Sequence, residues 1–190
     1  MSLKPTMMLL DGHTLIDLED PDPKKMWIED IAAALSRIKR WNGRGSLAIS
    51  VAQHSVYVSM QLPPQLQLAG LLHDAHEAFT GDVTTPVKRL LRSVDLQNIQ
   101  DRIDKLLYEG FGVNLTDREW ELVKQADLAV CAAEMYRVFG YTKTVDRCLK
   151  GFPKPAKIKI ACWTDPHAKN VFLQEFYRLT SPDSDSTTSS

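Results

Sequence analysis

The chain has 190 residues, of which 44% are hydrophobic and 25% charged, and its formal net charge is −1. This balance is typical of a globular protein of one domain, and it excludes a strongly basic chain that binds nucleic-acid polymers. The three cysteines lack a C-x-x-C spacing, which argues against a disulfide framework and indicates a reducing, cytoplasmic compartment. No apolar run reaches the roughly 18 residues of a membrane span, so no membrane association is expected.

Helical periodicity begins after the first 24 residues. Residues 1–24 lack it and are predicted to form an extended N-terminal segment. Apolar residues then recur at three- and four-residue spacing in several stretches. The predicted helices span residues 27–39, 46–61, 65–79, 87–110, 117–139 and 166–179. The polar, low-complexity tail 181–190 is expected to be disordered.

Capping residues mark where these helices begin. Ser46 is predicted to cap the second helix, and Pro86 suits the first turn of the stretch up to residue 110, which holds one or two helices. Thr116 and Glu119 form a capping-box pattern before the longest helix. The chain is therefore predicted to be all-α, with residues 25–180 forming a single helical domain.

Polar residues stand at unusual places in the apolar helices. His73 and Asp74 are adjacent inside an apolar run, His54 lies in the second helix and Asp127 in the longest one. A buried charge is costly unless it is paired or bound to a metal. Because neighbouring helix positions differ by about 100°, His73 and Asp74 can share an ion only at the edge between their directions. Two imidazoles and two carboxylates suit one divalent transition ion, such as Zn, Mn, Co, Fe or Ni.

The order His54, His73-Asp74, Asp127 resembles the HD-domain superfamily of metal-dependent phosphohydrolases. Two further motifs, Arg40-Trp41 and HDAHEAFTGDVTTPVK at residues 73–88, are similar to the small bacterial and phage hydrolases of deoxynucleotides. The resemblance covers about residues 25–140. It implies an HD-type helical bundle, a metal site made by the four ordered residues, a homo-oligomer, and a location in the bacterial cytosol or the host cytosol of a phage.

The resemblance also assigns a catalytic pair. Glu77 and Asp82 match the residues that manage the attacking water and its protons. A surface salt bridge is the alternative for Glu77, and a helix cap is the alternative for Asp82. His76 is expected either to support the ligands or to have a structural role, and Glu134, two turns after Asp127, is a candidate for supporting the ligands without binding the ion. His13 and His167 lie in loop-like segments and receive no role.

The substrate contacts implied by the resemblance are Arg40 and Trp41. An arginine can bind phosphate with two parallel hydrogen bonds, and a tryptophan offers a face to a base or a sugar. Lys88 and Lys124 are further candidates for phosphate, with solvated lysines as the alternative.

Two substrates of this branch stay open. A 5′-deoxynucleotidase would release phosphate from deoxynucleoside monophosphates, whereas a triphosphohydrolase would remove triphosphate from a dNTP, dATP especially. The latter would use Arg40, Lys88 and Lys124 as three cations, with a second ion such as Mg²⁺ on the phosphates. The residues also leave room for a catalytically silent nucleotide-binding protein, and for a di-iron oxygenase, although oxygenases of this kind generally demand more histidine ligands.

Overall fold

Two short strands precede the helices. In the computed structural model, which describes residues 4–10, 13–91 and 94–181, strand β1 (Met7–Leu9) pairs antiparallel with β2 (Leu15–Asp17). Ile16, at the centre of β2, is fully buried in the helical core and anchors the hairpin there. The described part of the N-terminal segment is therefore extended, and a 3-10 turn at Pro23–Lys25 leads out of it.

Helices form most of the remaining regular structure, and the prediction of an all-α fold is confirmed. The α-helices are α1 (Ile28–Arg37), α2 (Val51–Met60), α3 (Gln67–Leu72), α4 (Glu77–Thr80), α5 (Thr85–Leu91), α6 (Val94–Phe111), α7 (Asp117–Phe139), α8 (Lys143–Cys148) and α9 (Asp165–Thr180). Further 3-10 turns lie at Arg40–Gly43 and Pro64–Leu66. Within the described ranges, no helix is both long and apolar enough to span a bilayer.

Helix α2 lies at the centre of the bundle. Every residue from Val51 to Ser59 is buried, and the helix packs against α1, α3, α7 and α9. A helix that is buried on all sides needs small or apolar residues all round, and its polar side chains then need partners. Gln53 Nε2 donates to the carbonyl oxygen of Ala161 at 2.6 Å. His54, the buried histidine of this helix, belongs to the candidate metal centre.

Helices α1 and α9 form the wall on one side of α2. Ile31 and Leu35 lie on the apolar stripe of α1, and Phe172 and Phe176 lie on the inner face of α9. Phe172 is fully buried. Since the two helices pack along their length against each other and against α2, they fix the position of α2 within the bundle.

Helix α2 begins at Val51, so the predicted cap at Ser46 was wrong. Ser50 caps the helix instead, and its Oγ accepts a hydrogen bond from the backbone N–H of Gln53 at 3.2 Å. Ser46 Oγ donates to the carbonyl oxygen of Val138 at 2.9 Å, and an isolated antiparallel bridge joins Lys39 to Ser50. These contacts keep residues 46–50 out of the helix and override the local cap signal.

The helix predicted over 65–79 is interrupted at residues 73–76. There the backbone N–H of Glu77 donates to Asp74 and that of Ala75 to Leu72, which are three-residue rather than four-residue bonds. About three residues complete a turn in such winding. Asp74 and Glu77, three residues apart, therefore lie more nearly in line along the turn than they would in a regular α-helix.

The remaining helix boundaries follow the local signals closely. The stretch over 87–110 forms two helices, with Pro86 in the first turn of α5. The capping box of Thr116 and Glu119 is present at the start of α7, and Gly140 ends that helix with φ 82°. Helix α8 was not predicted. Residues 182–190 of the predicted disordered tail lie outside the described residues.

Candidate metal centre

Two histidines from different elements, one fully buried and one partly buried, meet inside the bundle. His54 comes from α2 and His73 from the turn after α3, and their ring centroids are 5.3 Å apart. His73 Nδ1 lies 2.8 Å from the carbonyl oxygen of Gly70, and His54 Nδ1 lies 3.1 and 3.2 Å from the carboxylate oxygens of Glu134. Because these oxygens accept hydrogen bonds, they favour a proton on Nδ1 of each ring. Both histidines therefore present Nε2 to the same space.

Two carboxylates face that space. His73 Nε2 lies 3.2 Å from Asp74 Oδ2 and 3.9 Å from Asp127 Oδ1. His54 Nε2 lies 3.0 Å from Asp127 Oδ1 and 3.9 Å from Asp74 Oδ2. Bonds of about 2.0–2.2 Å to an ion separate its ligand atoms by roughly 3.0–3.5 Å, which is close to this spacing. The cluster of His54, His73 and Asp74, whose ligand atoms lie within 4.8 Å of one another, could hold a metal ion.

The chemistry of the cluster also fits a cation. Within the part of the chain that the structure describes, His73 Nε2 is buried without a hydrogen-bond partner of good geometry. An unsatisfied buried nitrogen costs free energy that a bound cation would offset. Without a cation, protons on the histidines balance the carboxylates. Burial alone would lower the pKa of His73, but Asp74 and Asp127 raise it to about 9. Burial likewise opposes ionisation of Asp74, yet His73 and Arg40 hold its pKa well below the usual range.

Glu134 joins the cluster to Arg40. Its side chain is fully buried, and one of its oxygens lies 3.1 Å both from His54 Nδ1 and from Arg40 Nε. Arg40 Nη1 is 3.8 Å from Asp74 Oδ2. Glu134 therefore orients the ring of His54 and balances the charge of Arg40, as a supporting carboxylate beyond the ligands does.

The loop after Arg40 has an unusual backbone. Trp41 and Asn42 have φ values of 51° and 54°, in the left-handed region that costs roughly 1–3 kcal/mol for such residues. The Trp41 ring lies edge-on against Phe139, with centroids 5.5 Å apart, and Arg40 Cζ lies 5.0 Å from the centroid of the Trp41 ring. The end of α7 thus supports the loop and keeps Arg40 beside the cluster.

The predicted catalytic carboxyls lie within electrostatic reach of Asp74. Glu77, the first residue of α4, is 5% exposed, and its Oε2 has no hydrogen-bond partner among the described residues. Burial, and then the charges of Asp74 and Asp82, raise the pKa of Glu77 to about 9, while Arg40 and Lys88 oppose the rise. Burial also raises the pKa of Asp82, in the loop after α4, against the effect of Arg40. Glu77 is therefore a buried acid beside the cluster rather than part of a surface salt bridge.

A cavity of about 580 Å³ adjoins the cluster on the side of α6 and α7. His73 and Asp127 both line it, and so does the exposed Lys124. Among the described residues, the lining does not include Arg40, Trp41 or Lys88. Of the four predicted substrate contacts, Lys124 therefore lines the cavity, whereas Arg40, Trp41 and Lys88 do not.

Sequence reasoning missed the aromatic lining of this cavity. Trp120 lies four residues before Lys124 and seven before Asp127, a spacing that places all three on one face of α7. Asp104 and Tyr108 are also four residues apart, on α6. Each spacing could have predicted one wall of the cavity, on α7 or on α6. Neither spacing could have predicted that the two walls face each other.

His76 faces α6 rather than the ligand atoms. Its Nδ1 lies 3.0 Å from Asp104 Oδ1, while its buried Nε2 has no hydrogen-bond partner in the described ranges. His167 packs its ring against Trp163, with centroids 5.0 Å apart. The pair of His76 and Asp104 fastens the turn after α3 to α6.

Comparisons with known proteins give the chain relatives over most of its length. It is 33% identical over 153 residues to the uncharacterized protein YfdR of Escherichia coli K12, a match that covers 80% of this chain and 84% of YfdR. The chain belongs to the YfdR family. A second relative is the uncharacterized protein RCAP_rcc00048 of Rhodobacter capsulatus, 33% identical over 162 residues, 80% of this chain and 82% of that protein.

The YfdR-family chain is also similar to a named enzyme. It is 30% identical over 135 residues to the 5′-deoxynucleotidase YfbR of Shigella boydii, across 53% of this chain and 67% of YfbR. No protein-family model matches the chain. The similarity to YfbR indicates a hydrolase of the nucleotide-phosphate class.

Proposed function

We propose that the chain is an HD-type, metal-dependent phosphohydrolase that releases phosphate from deoxynucleoside 5′-monophosphates. The observation that carries the proposal is the convergence of His54, His73 and Asp74, with their ligand atoms within 4.8 Å, beside the buried carboxyl of Glu77. Similarity to the 5′-deoxynucleotidase YfbR supports the reaction class. A purely structural cluster would not need Glu77, a buried acid whose Oε2 lacks a hydrogen-bond partner among the described residues.

The residues that would hold the ion are His54, His73 and Asp74, with Asp127 as the fourth ligand. When bound, a divalent ion supplies polarisation of a phosphoryl oxygen and makes water more acidic. Glu134 holds the ring of His54 in the tautomer that leaves Nε2 free to bind. The protein therefore contributes both the ligands and the group that orients one of them.

Glu77 would accept the proton of the attacking water. The pKa of an acid falls beside positive charge. Burial, Asp74 and Asp82 raise the pKa of Glu77 to about 9, and a cation that offsets the charge of Asp74 would lower this pKa toward the working pH. A base works best when its pKa is near the working pH. Asp82 lies within electrostatic reach of Glu77, and the proton would pass through this pair to the departing 5′-oxygen of the nucleoside.

The charges around the cluster favour a monophosphate over a triphosphate. Arg40 already lies against Glu134 and Asp74, and Lys88 faces the charges of Glu77 and Asp82. A triphosphate carries several charges that need cations of their own. A single phosphoryl group, held by the ion and Arg40, matches the cations around the cluster better than a triphosphate would.

Product analysis tests the proposal. Protein stripped by a chelator and reloaded with Mn²⁺, Co²⁺, Zn²⁺ or Mg²⁺ is incubated with dNMPs, rNMPs and dNTPs. We expect orthophosphate from dNMPs, and its loss in Glu77→Gln at unchanged metal content. The matched control is Glu121→Gln, an exposed acid of α7. Release of intact triphosphate from a dNTP, or metal binding without turnover of any nucleotide, would overturn the proposal.

A further inference from the structure

The cavity between α6 and α7 has the size of a small-molecule site. Its volume is about 580 Å³, within the range of roughly 300–1,000 Å³ that such sites occupy. His73 and Asp127 belong both to the lining and to the cluster described above. A molecule with its phosphate at the cluster therefore has room to extend into this cavity.

One wall of the cavity is aromatic. Tyr108 of α6 and Trp120 of α7 pack with their ring centroids 4.9 Å apart and their planes tilted by 44°. Both side chains are half-buried and line the cavity. Stacking of a base on an aromatic side chain contributes about 1–3 kcal/mol per base, whichever base it is.

The polar lining suits an uncharged, hydrogen-bonding molecule. Asn114 offers both a donor and an acceptor, and Asp101 and Asp104 offer acceptors. Lys105 lies 3.9 Å from Glu109, so their charges offset each other. Because acids outnumber bases around the cavity, a chain of phosphates would be repelled, whereas base amino groups and sugar hydroxyls would find partners.

We propose that this cavity binds the nucleoside half of the substrate, with the base against Trp120 and the sugar between the base and the cluster. The inference rests on the proposed function, since the cluster has to receive the phosphate. It adds Trp120, Tyr108 and Asn114 to the binding site, and it places the base on the side of the cluster lined by α6 and α7 rather than against Trp41.

The first test compares substrates with and without a base. Trp120→Leu removes the ring, and Trp120→Phe keeps an aromatic face. We expect Trp120→Leu to raise KM for dAMP and dCMP about tenfold or more, as the loss of stacking implies. Hydrolysis of 2-deoxyribose 5-phosphate, which lacks a base, should change less than twofold. Trp27→Leu, at an exposed position of similar chemistry, serves as the control.

The second test measures binding without turnover. Deoxyadenosine and deoxycytidine are titrated into wild type, Trp120→Leu and Asn114→Ala, with saturation-transfer NMR as the readout and circular dichroism as the check on folding. We expect both nucleosides to bind wild type and to bind each variant several-fold more weakly. The Asn114→Ala variant keeps the inference testable if Trp120→Leu does not fold.

The two proposals fail in different ways. Nucleoside binding that depends on Trp120, without hydrolysis of any dNMP, would support the cavity and overturn the enzyme. Hydrolysis of dNMPs with an unchanged KM in Trp120→Leu and Asn114→Ala would support the enzyme and overturn the cavity. Equal losses on dAMP and on 2-deoxyribose 5-phosphate would also overturn it, because the ring would then act on the phosphate end.

Discussion

Replacing Glu134 by glutamine should weaken metal binding without touching a ligand. The carboxylate accepts from His54 Nδ1 at 3.1 and 3.2 Å and lies 3.1 Å from Arg40 Nε. An amide has one acceptor oxygen and one NH₂ group. Because both carboxylate oxygens lie 3.1–3.2 Å from His54 Nδ1, either orientation of the amide brings its NH₂ group close to that N–H and leaves one neutral oxygen to accept from it. The hydrogen bond that holds the ring of His54 with Nε2 toward the ion is therefore weaker.

The size of the effect follows from two contacts. Loss of a carboxylate that orients a ligating histidine typically weakens metal affinity about 10–100-fold. Removing one partner of a buried ion pair costs about 3–5 kcal/mol. For Glu134→Gln we expect a loss of unfolding free energy at the lower end of this range of about 3–5 kcal/mol, because Asp74 remains 3.8 Å from the Arg40 guanidinium.

Competition with a chromogenic chelator measures the first effect, and urea unfolding of the stripped protein measures the second. Glu121→Gln is the control. Glu121 is exposed on the same helix, and within the described structure its side chain accepts a hydrogen bond only from Gln125, at 2.7 Å. Wild-type Kd for Zn²⁺ and Co²⁺ in Glu134→Gln would refute the reasoning, because His54 would then need no partner on Nδ1.

Three further predictions concern pH, a glycine and the core. The pKa of His73 is raised to about 9 from about 6.5 in the unfolded chain. Its protonation therefore stabilises the stripped protein fully below pH 6.5, and thermal unfolding with chelator should show a loss of roughly 3 kcal/mol as the pH rises through 9. A pH-independent Tm would contradict this. Gly45→Ala places a Cβ 2.1 Å from Val138 Cγ1, at a φ of 97°, and should lower the free energy of unfolding in urea by about 1–3 kcal/mol. At Gly110 an added Cβ meets no described atom within 4 Å, so Gly110→Ala should be neutral or slightly stabilising. Phe172→Ala should cost about 3–5 kcal/mol in the same assay, and a loss below 1 kcal/mol would show that α9 does not hold the core.

Local signals predicted much of the fold. The capping box at Thr116 and Glu119 and the stop at Gly140 depend on residues within one turn, and the structure has both. The cap predicted at Ser46 failed because that hydroxyl is bound by Val138, more than ninety positions away. The tightened turn at 73–76 was not readable either, since regular apolar periodicity continues through it.

The candidate site divides in the same way. The order of His54, His73 and Asp74 predicted that they meet only through its resemblance to the HD-domain superfamily. Buried polar residues on helices need partners, but their spacing alone does not say which. The spacing could not show that Glu134 links His54 to Arg40. The cavity wall of Tyr108 and Trp120 depends on how α6 crosses α7, which no pattern within either helix specifies.

The most direct test is a titration of the stripped protein with Mn²⁺ or Co²⁺ while dAMP hydrolysis and bound metal are followed together. We expect no phosphate release without metal, activity that saturates as the metal site fills, and loss of both binding and activity in His73→Gln. Hydrolysis of dAMP by the stripped protein, or a filled site with no release of phosphate, would contradict the account.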